Sequence, residues 1–132
     1  MESRELRSRT MRAVKSKDTA PEMIVRRLLH SAGFRYRLHR TDLPGCPDLA
    51  FPGRRKVIFV HGCFWHGHTC TRGSRVPKAN REYWRKKIAG NSKRGKRSAR
   101  ALRQAGWKSL VVWECQLRSE RLLRRLTDFL LG

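Results

Sequence analysis

The pattern of apolar positions predicts a first helix near the start of the chain. Apolar residues between positions 24 and 32 recur at helical spacing. Thr19 precedes them as an N-cap, Pro21 falls in the first turn, and Glu22 occupies the third helical position of a capping box. Gly33 is expected to end this helix.

The middle of the chain predicts short strands. Residues 35–38 alternate weakly, residues 48–51 follow a Leu43-Pro44-Gly45 turn, and residues 56–60 form an apolar run typical of a buried strand. Pro52-Gly53 is a turn signal, so the last two strands are expected to form a hairpin. A loop rich in His and Cys then extends to about residue 79.

The pattern of apolar and charged residues in the second half of the chain predicts a helix, a strand and a second helix. Residues 80–104 have a charged helical pattern in which Gly90 and Gly95 are expected interruptions, residues 107–113 are an apolar strand, and residues 120–131 an amphipathic helix. This order predicts an α/β sandwich whose central sheet carries a site at one end. We expect one domain over residues 18–132, preceded by a basic arm over residues 1–17.

Charge indicates the kind of partner. The 132 residues include 32 Lys and Arg but only 10 Asp and Glu. The resulting net charge of +22 favours a polyanionic partner. Residues 72–108 hold 14 basic residues and one acid, Glu82, and the aromatic side chains of Tyr83 and Trp84 lie among them. Cations neutralise phosphates and aromatic rings stack on bases, so we predict nucleic-acid binding. Composition alone also fits a ribosomal-type or histone-like protein, whereas a membrane-surface helix would need a continuous apolar face.

The chain has neither a run long enough to span a bilayer nor an apolar stretch after its charged first residues. We therefore expect it in a reducing cytoplasm and not at a membrane. There its four cysteines would be metal ligands or plain thiols.

Two thiols and two imidazoles fall between positions 63 and 70. Structural zinc takes four such ligands. We assign three of them to this segment and the fourth to the cysteine that lies just after the strand over residues 107–113. We predict one structural zinc site, made of Cys63, His68, Cys70 and Cys115. The alternatives are buried thiols without metal, or a catalytic zinc that also uses His61 and His66. In our assignment His66 stays off the metal and can exchange a proton near neutral pH.

Two of the ten acids are candidates for chemistry. Asp48 opens an apolar strand, where it is well placed to hold a divalent cation at a sheet edge. Glu22 shares a helix face with Val25 and Leu29, so its side chain should lean toward the core. A plain turn residue and a capping residue are the structural alternatives.

Together these segments resemble the very short patch repair (Vsr-type) mismatch endonucleases over about residues 8–118. The matching motifs, in order, are Asp18-Thr19-Ala20-x-Glu22, Leu43-Pro44-Gly45-x-Pro47-Asp48, the block Val57–Cys70 with its His and Cys residues, and Val111-Val112-Trp113-Glu114-Cys115.

The resemblance implies a restriction-endonuclease-like fold and strand-specific, Mg²⁺-dependent incision 5′ to the thymine of a T:G mismatch. Asp48 and the carbonyl of Val60 would bind one or two Mg²⁺ ions, and His66 would be the general acid–base residue. His61 and Glu22 would support the phosphate and the metal. The duplex wedge would be Phe64, Trp65 and Trp84, with further DNA contacts from Arg85, Lys86, Lys87, Asn91 and Lys93.

The resemblance also implies partners and shows departures. The partner is mismatched double-stranded DNA, bound by a monomer, with a functional link to a cytosine-5 methyltransferase and a repair polymerase. The resemblance also implies a bacterial cytoplasm, with the protein associated with the nucleoid. The chain has Gly95 where the family often has an acid, and Gly67 where histidine is common; Cys46 has no assigned role. Two alternatives remain: a related nicking enzyme with another preference, and a non-catalytic, zinc-stapled module that binds distorted DNA.

Overall fold

The computed structural model describes residues 19–65, 67, 68, 70 and 76–132, so the expected arm over residues 1–17 and His66 lie outside the described residues. The predicted order of helices and strands is confirmed. The helices are α1 (Ala20–Ser31), α2 (Arg81–Gln104) and α3 (Leu122–Leu131), and the strands are β1 (Arg37–Leu38), β2 (Leu49–Phe51), β3 (Lys56–His61) and β4 (Lys108–Trp113). None of the described helices combines the length and apolar character that a membrane-spanning helix needs.

The four strands form one mixed sheet in the order β1-β2-β3-β4. The pairs β1–β2 and β2–β3 are antiparallel, so the hairpin predicted from Pro52-Gly53 is confirmed. Strands β3 and β4 are parallel over their whole length. A parallel pair needs a long crossover, and α2 lies in that connection.

Helix α2 corrects one prediction. Gly90 and Gly95 were expected to interrupt it, but the helix is continuous from Arg81 to Gln104. Glycine in a helix interior costs only about 1 kcal/mol relative to alanine. Packing of this long helix against the sheet, with Leu102 fully buried, outweighs that cost.

The sheet is covered on both faces, which explains why Leu49, Ala50 and Phe51 are all buried. Leu49 and Phe51 belong to the larger core, between the sheet and helices α1 and α3. Ala50 points the other way, toward the smaller core that includes Leu102 of α2. Successive strand residues face opposite layers, so each strand supplies both cores.

A buried lysine fixes the end of α3 against the sheet. Lys56, at the start of β3, is only 7% exposed. Its ammonium group donates hydrogen bonds to the carbonyls of Phe129 (2.7 Å), Leu130 (3.1 Å) and Gly132 (3.1 Å). These are carbonyls that a helix end leaves without an intrahelical donor, and a cation there is also favoured by the helix dipole.

Candidate active site and metal-binding clusters

Two carboxyl groups from distant parts of the chain meet where the interior strand β2 begins. Asp48 directly precedes β2, and Glu22 lies in the first turn of α1. The N-cap prediction is confirmed, because the hydroxyl of Thr19 accepts a hydrogen bond from the Glu22 amide at 3.3 Å. The prediction that Glu22 leans toward the core is also confirmed, since it is only 1% exposed.

Asp48 is held by the neighbouring strand. Its Oδ2 accepts a 2.7 Å hydrogen bond from the main-chain N–H of Val60 in β3. The pKa of Asp48 is raised to about 7: burial is the largest cause and the adjacent Glu22 carboxyl group adds to it, while the Val60 hydrogen bond and His39 act in the opposite direction. Two carboxyl groups in contact, one buried and one partly buried, repel one another when both are ionised, so a cation between them would be stabilising.

His39 joins this pair and was not predicted. Its Nε2 lies 3.0 Å from each of the two carboxyl oxygens of Glu22. Donor atoms of Glu22, His39 and Asp48 all lie within 4.8 Å of one another, an arrangement that could hold a metal ion. The sequence gives only a weak signal for this role, a lone histidine one residue after β1, because its position depends on a left-handed backbone (φ 47°).

His61 lies on the opposite side of the sheet from Glu22. Val60 packs against the core beneath α1, and His61, the next residue in β3, faces α2. Its ring contacts Phe59 and Trp113, with centroid separations of 5.7 and 5.3 Å. A cavity of about 600 Å³ lies between His61 and Trp113 on one side and Asn91, Arg94 and Gly95 of α2 on the other.

The structure brings the four predicted zinc ligands together. Ligand atoms of Cys63, His68, Cys70 and Cys115 all lie within 4.8 Å of one another. The Cys115 amide donates to Cys63 Sγ at 3.3 Å, and Cys115 Sγ lies 3.6 Å from His68 Nδ1. Burial raises the pKa of the Cys63 thiol to about 12, so this thiol would become a thiolate only beside a cation. This cluster could hold zinc.

Trp113 links the Cys/His cluster to His61. Its ring stacks on His68 at 4.2 Å with an interplanar angle of 19°, and meets His61 edge-on at 5.3 Å. Residue 113 ends β4 and is paired in register with His61, and Cys115 follows two residues later. The Cys/His cluster, Trp113 and the end of β3 are therefore packed together at this end of the sheet.

The three aromatic residues expected to form a duplex wedge are in mutual contact. Ring centroids of Phe64, Trp65 and Trp84 lie 5.1 to 5.7 Å apart. Tyr83, which is 55% exposed, extends the group with a 5.2 Å contact to Trp84. The side-chain amide of Asn91 donates a hydrogen bond to the carbonyl of Trp65 at 2.8 Å, which connects the loop that follows β3 to α2.

The basic residues expected to contact DNA lie on α2, the helix that also carries Tyr83 and Trp84. Arg85, Lys86 and Lys93 are exposed, while Lys87 is partly buried, with its ammonium 5.7 Å from the Tyr83 ring centroid. Asn91 is also partly buried, between the Trp65 carbonyl and the guanidinium of Arg94. Its position links the loop to the basic helix.

A mixed four-stranded sheet flanked by helices, with two carboxyl groups where β2 begins, fits an α/β nuclease fold. Comparison with known proteins identifies the kind of nuclease. Residues 2–72 match the family described as DNA mismatch endonuclease Vsr. The chain therefore belongs to the Vsr family of DNA endonucleases, and its substrate is DNA.

Individual relatives cover nearly the whole chain. The type II nicking enzyme V.XorIIP of Xanthomonas oryzae pv. oryzae is 52% identical, over 96% of this chain and 95% of its own length. The DNA mismatch endonuclease Vsr of Escherichia coli is 41% identical, over 96% of this chain and 84% of its own. The type II nicking enzyme V.NmeAIP of Neisseria meningitidis is 41% identical, over 89% of this chain and 84% of its own.

Proposed function

We propose that the protein nicks one strand of double-stranded DNA 5′ to the thymine of a T:G mismatch, in a Mg²⁺-dependent reaction. The observation that carries this proposal is the close approach of the buried Glu22 carboxyl group to the partly buried Asp48 carboxyl group at the start of β2. Such mismatches arise by deamination of 5-methylcytosine, which is the basis for the expected link to a cytosine-5 methyltransferase and a repair polymerase. The E. coli relative, named a DNA mismatch endonuclease, supports the mismatch substrate.

The donor set fits a hard divalent cation, since Mg²⁺ is usually bound by one or two carboxylates and otherwise by water and substrate phosphate. Asp48 and Glu22 would hold it, with the carbonyl of Val60 as a further ligand. When bound, Mg²⁺ supplies positive charge at the phosphate and a water molecule of lowered pKa. The Val60 amide keeps the Asp48 carboxyl group oriented during this chemistry.

Proton transfer is assigned to the histidines. His66 is the proposed general acid–base residue, as its place in the family motif implies. His61 would orient the phosphate from the α2 side of the sheet, where Trp113 and Phe59 hold its ring. Zinc bound by the four-residue Cys/His cluster would hold the loop after β3, which contains His66, in place without taking part in the chemistry.

Recognition of the mismatch is assigned to the aromatic group and to α2. Phe64, Trp65 and Trp84 would insert beside the mismatched pair, at a cost of a few kcal/mol for unstacking. A mismatched site is easier to distort than a paired one, which favours the mismatch. The exposed basic residues of α2, together with Lys87 and Asn91, would hold the duplex by its phosphates and base edges.

A second candidate function is nicking at another sequence or structure. It is favoured by the 52% identity to V.XorIIP, which is named a type II nicking enzyme. The chemistry would be unchanged and the substrate would differ.

The deciding experiment incubates purified, zinc-loaded protein with Mg²⁺ and labelled duplexes that carry a T:G mismatch, an A:C mismatch or no mismatch. We expect one nick 5′ to the thymine of the T:G duplex and intact control duplexes. Equal cutting of all three would support the related nicking enzyme. Binding without cutting, at any Mg²⁺ concentration, would support a non-catalytic module that binds distorted DNA.

A further inference from the structure

We propose that His39 is a positioning residue of the active site, which holds the Glu22 carboxylate beside Asp48 and so sets the affinity of the site for its metal. This inference rests on the proposed function, because it assumes a divalent cation at Glu22 and Asp48. Neither the sequence motifs nor the resemblance assigned a role to His39.

His39 is fixed to Asp48 through its backbone. The residue follows β1 in a left-handed conformation, with φ of 47°, which costs a non-glycine residue free energy. Its N–H donates to the carbonyl oxygen of Asp48 at 3.2 Å. The backbone bend and this hydrogen bond together direct the imidazole toward α1.

The imidazole contacts Glu22 at two points. Nε2 lies 3.0 Å from both carboxyl oxygens, while Arg26, one turn further along α1, reaches one of them at a longer 3.4 Å. Glu22 is 1% exposed, so water cannot replace these contacts. A buried carboxylate that loses such partners is no longer held in place, and turning toward water is then favoured.

Metal binding depends on this contact because Glu22 is one of the two carboxyl groups at the site. If Glu22 were displaced, Asp48 would be left as the single carboxylate ligand. Loss of a hydrogen-bonding partner behind a metal ligand typically lowers metal affinity about 10- to 100-fold. The same change should leave the basic face of α2 and its DNA contacts intact, since His39 lies on the far side of β2 from β3.

Two substitutions separate this role from a purely structural one. In His39→Gln the amide nitrogen is as many bonds from Cβ as Nε2 is, so it can still donate to Glu22. In His39→Asn the amide is one bond shorter and cannot reach, yet asparagine suits a left-handed backbone better than glutamine. If His39 served only the backbone bend, the Asn variant should therefore bind the metal ion more tightly than the Gln variant. If His39 positions Glu22, the Gln variant should bind the metal ion more tightly.

The experiment measures Mn²⁺ binding to zinc-loaded protein by the electron paramagnetic resonance signal of free Mn²⁺, with Mn²⁺ as the probe for Mg²⁺. His30→Gln, at an exposed position on α1, is the matched control. We expect the dissociation constant to rise about 10- to 100-fold in His39→Asn and to change less than about threefold in His39→Gln and the control. In His39→Asn, excess Mg²⁺ should restore nicking, and DNA affinity measured without Mg²⁺ should be unchanged.

Wild-type Mn²⁺ affinity in His39→Asn would overturn the proposal, and so would a larger loss in His39→Gln than in His39→Asn. Asp48→Asn separates the two levels of inference. If Asp48→Asn abolishes Mn²⁺ binding while His39→Asn preserves it, the proposed function stands and the role of His39 falls. If Asp48→Asn binds Mn²⁺ as the wild type does, the cation is not at this site and the proposed function fails first.

Discussion

The main-chain N–H of Val60 donates a 2.7 Å hydrogen bond to Oδ2 of Asp48, so strand β3 orients the carboxyl group that precedes β2. The two residues are 12 positions apart and meet because the β2–β3 hairpin brings them side by side. The acceptor is an oxygen that asparagine also offers. The charge of Asp48 can therefore be removed with little disturbance of the sheet.

Asp48→Asn should abolish nicking while the protein stays folded. Loss of a metal-binding carboxylate removes several kcal/mol of transition-state stabilisation, which corresponds to a rate loss of about 10³-fold or more. Thermal unfolding at pH 8 should occur at the same or a higher temperature, because the variant no longer buries a negative charge beside Glu22. Single-turnover cleavage of T:G duplexes and calorimetry test this expectation. Cutting at the wild-type rate would remove Asp48 from the metal site.

The raised pKa of Asp48 predicts how stability depends on pH. The pKa of the Asp48 carboxyl group is about 4 in the unfolded chain and about 7 in the folded protein. Between these values the folded protein holds a proton that the unfolded chain has released. The contribution of Asp48 to the free energy of unfolding is therefore greatest below about pH 4, falls as pH rises to about 7, and then stays constant.

Urea unfolding of zinc-loaded, Mg²⁺-free protein between pH 5 and 8 measures this dependence, with Asp48→Asn as the control. The difference in unfolding free energy between variant and wild type should grow in favour of the variant as pH rises. Saturating Mg²⁺ should stabilise the wild type more at pH 8 than at pH 6, since Mg²⁺ competes with the proton for Asp48. A difference that does not change with pH would show that Asp48 keeps an ordinary pKa in the folded protein.

The sequence predicted the order of the elements and the four Cys and His residues whose ligand atoms converge, since those signals are local or clustered. Hydrophobic periodicity located α1, and the close spacing of Cys63, His68 and Cys70 marked a metal cluster whose ligand atoms do converge. His39 was missed because its contact with Glu22 spans 17 positions and depends on a left-handed backbone. The predicted break at Gly95 was wrong for a related reason: tertiary packing outweighs a local propensity.

Cys115→Ser should destabilise the protein through zinc. We expect loss of bound zinc and a fall of several kcal/mol in the free energy of unfolding, since structural zinc binding is coupled to folding. Cys46→Ser is the matched control, because Cys46 is an exposed free cysteine outside the four-residue cluster. Metal analysis and urea unfolding check both variants. A Cys115→Ser protein with a full complement of zinc and unchanged stability would exclude Cys115 as a ligand.

Trp65→Ala should weaken discrimination of the mismatch more than affinity for DNA in general. Trp65 contacts both Phe64 and Trp84, so its loss should open the proposed wedge and remove about 1–3 kcal/mol of stacking with a base. The ratio of T:G to matched-duplex affinity should fall at least severalfold, while binding to matched duplex falls little. Fluorescence anisotropy at fixed salt measures both constants, and an equal loss on the two duplexes would contradict a wedge at Trp65.

Gly95→Asp should raise the pKa of His61. A Cβ added at Gly95 would have His61 Cε1 as its nearest neighbour, at 3.9 Å, so an aspartate there places its charge beside the imidazole. An opposite charge within about 4–6 Å raises a histidine pKa by about one unit or more. Gly90→Asp is the control: it adds the same charge and helix propensity to α2, but its Cβ faces Arg94 at 3.4 Å. Titration by NMR, with the signal assigned through His61→Gln, should show the increase in Gly95→Asp alone; equal shifts in both variants would mean that Gly95 has no special relation to His61.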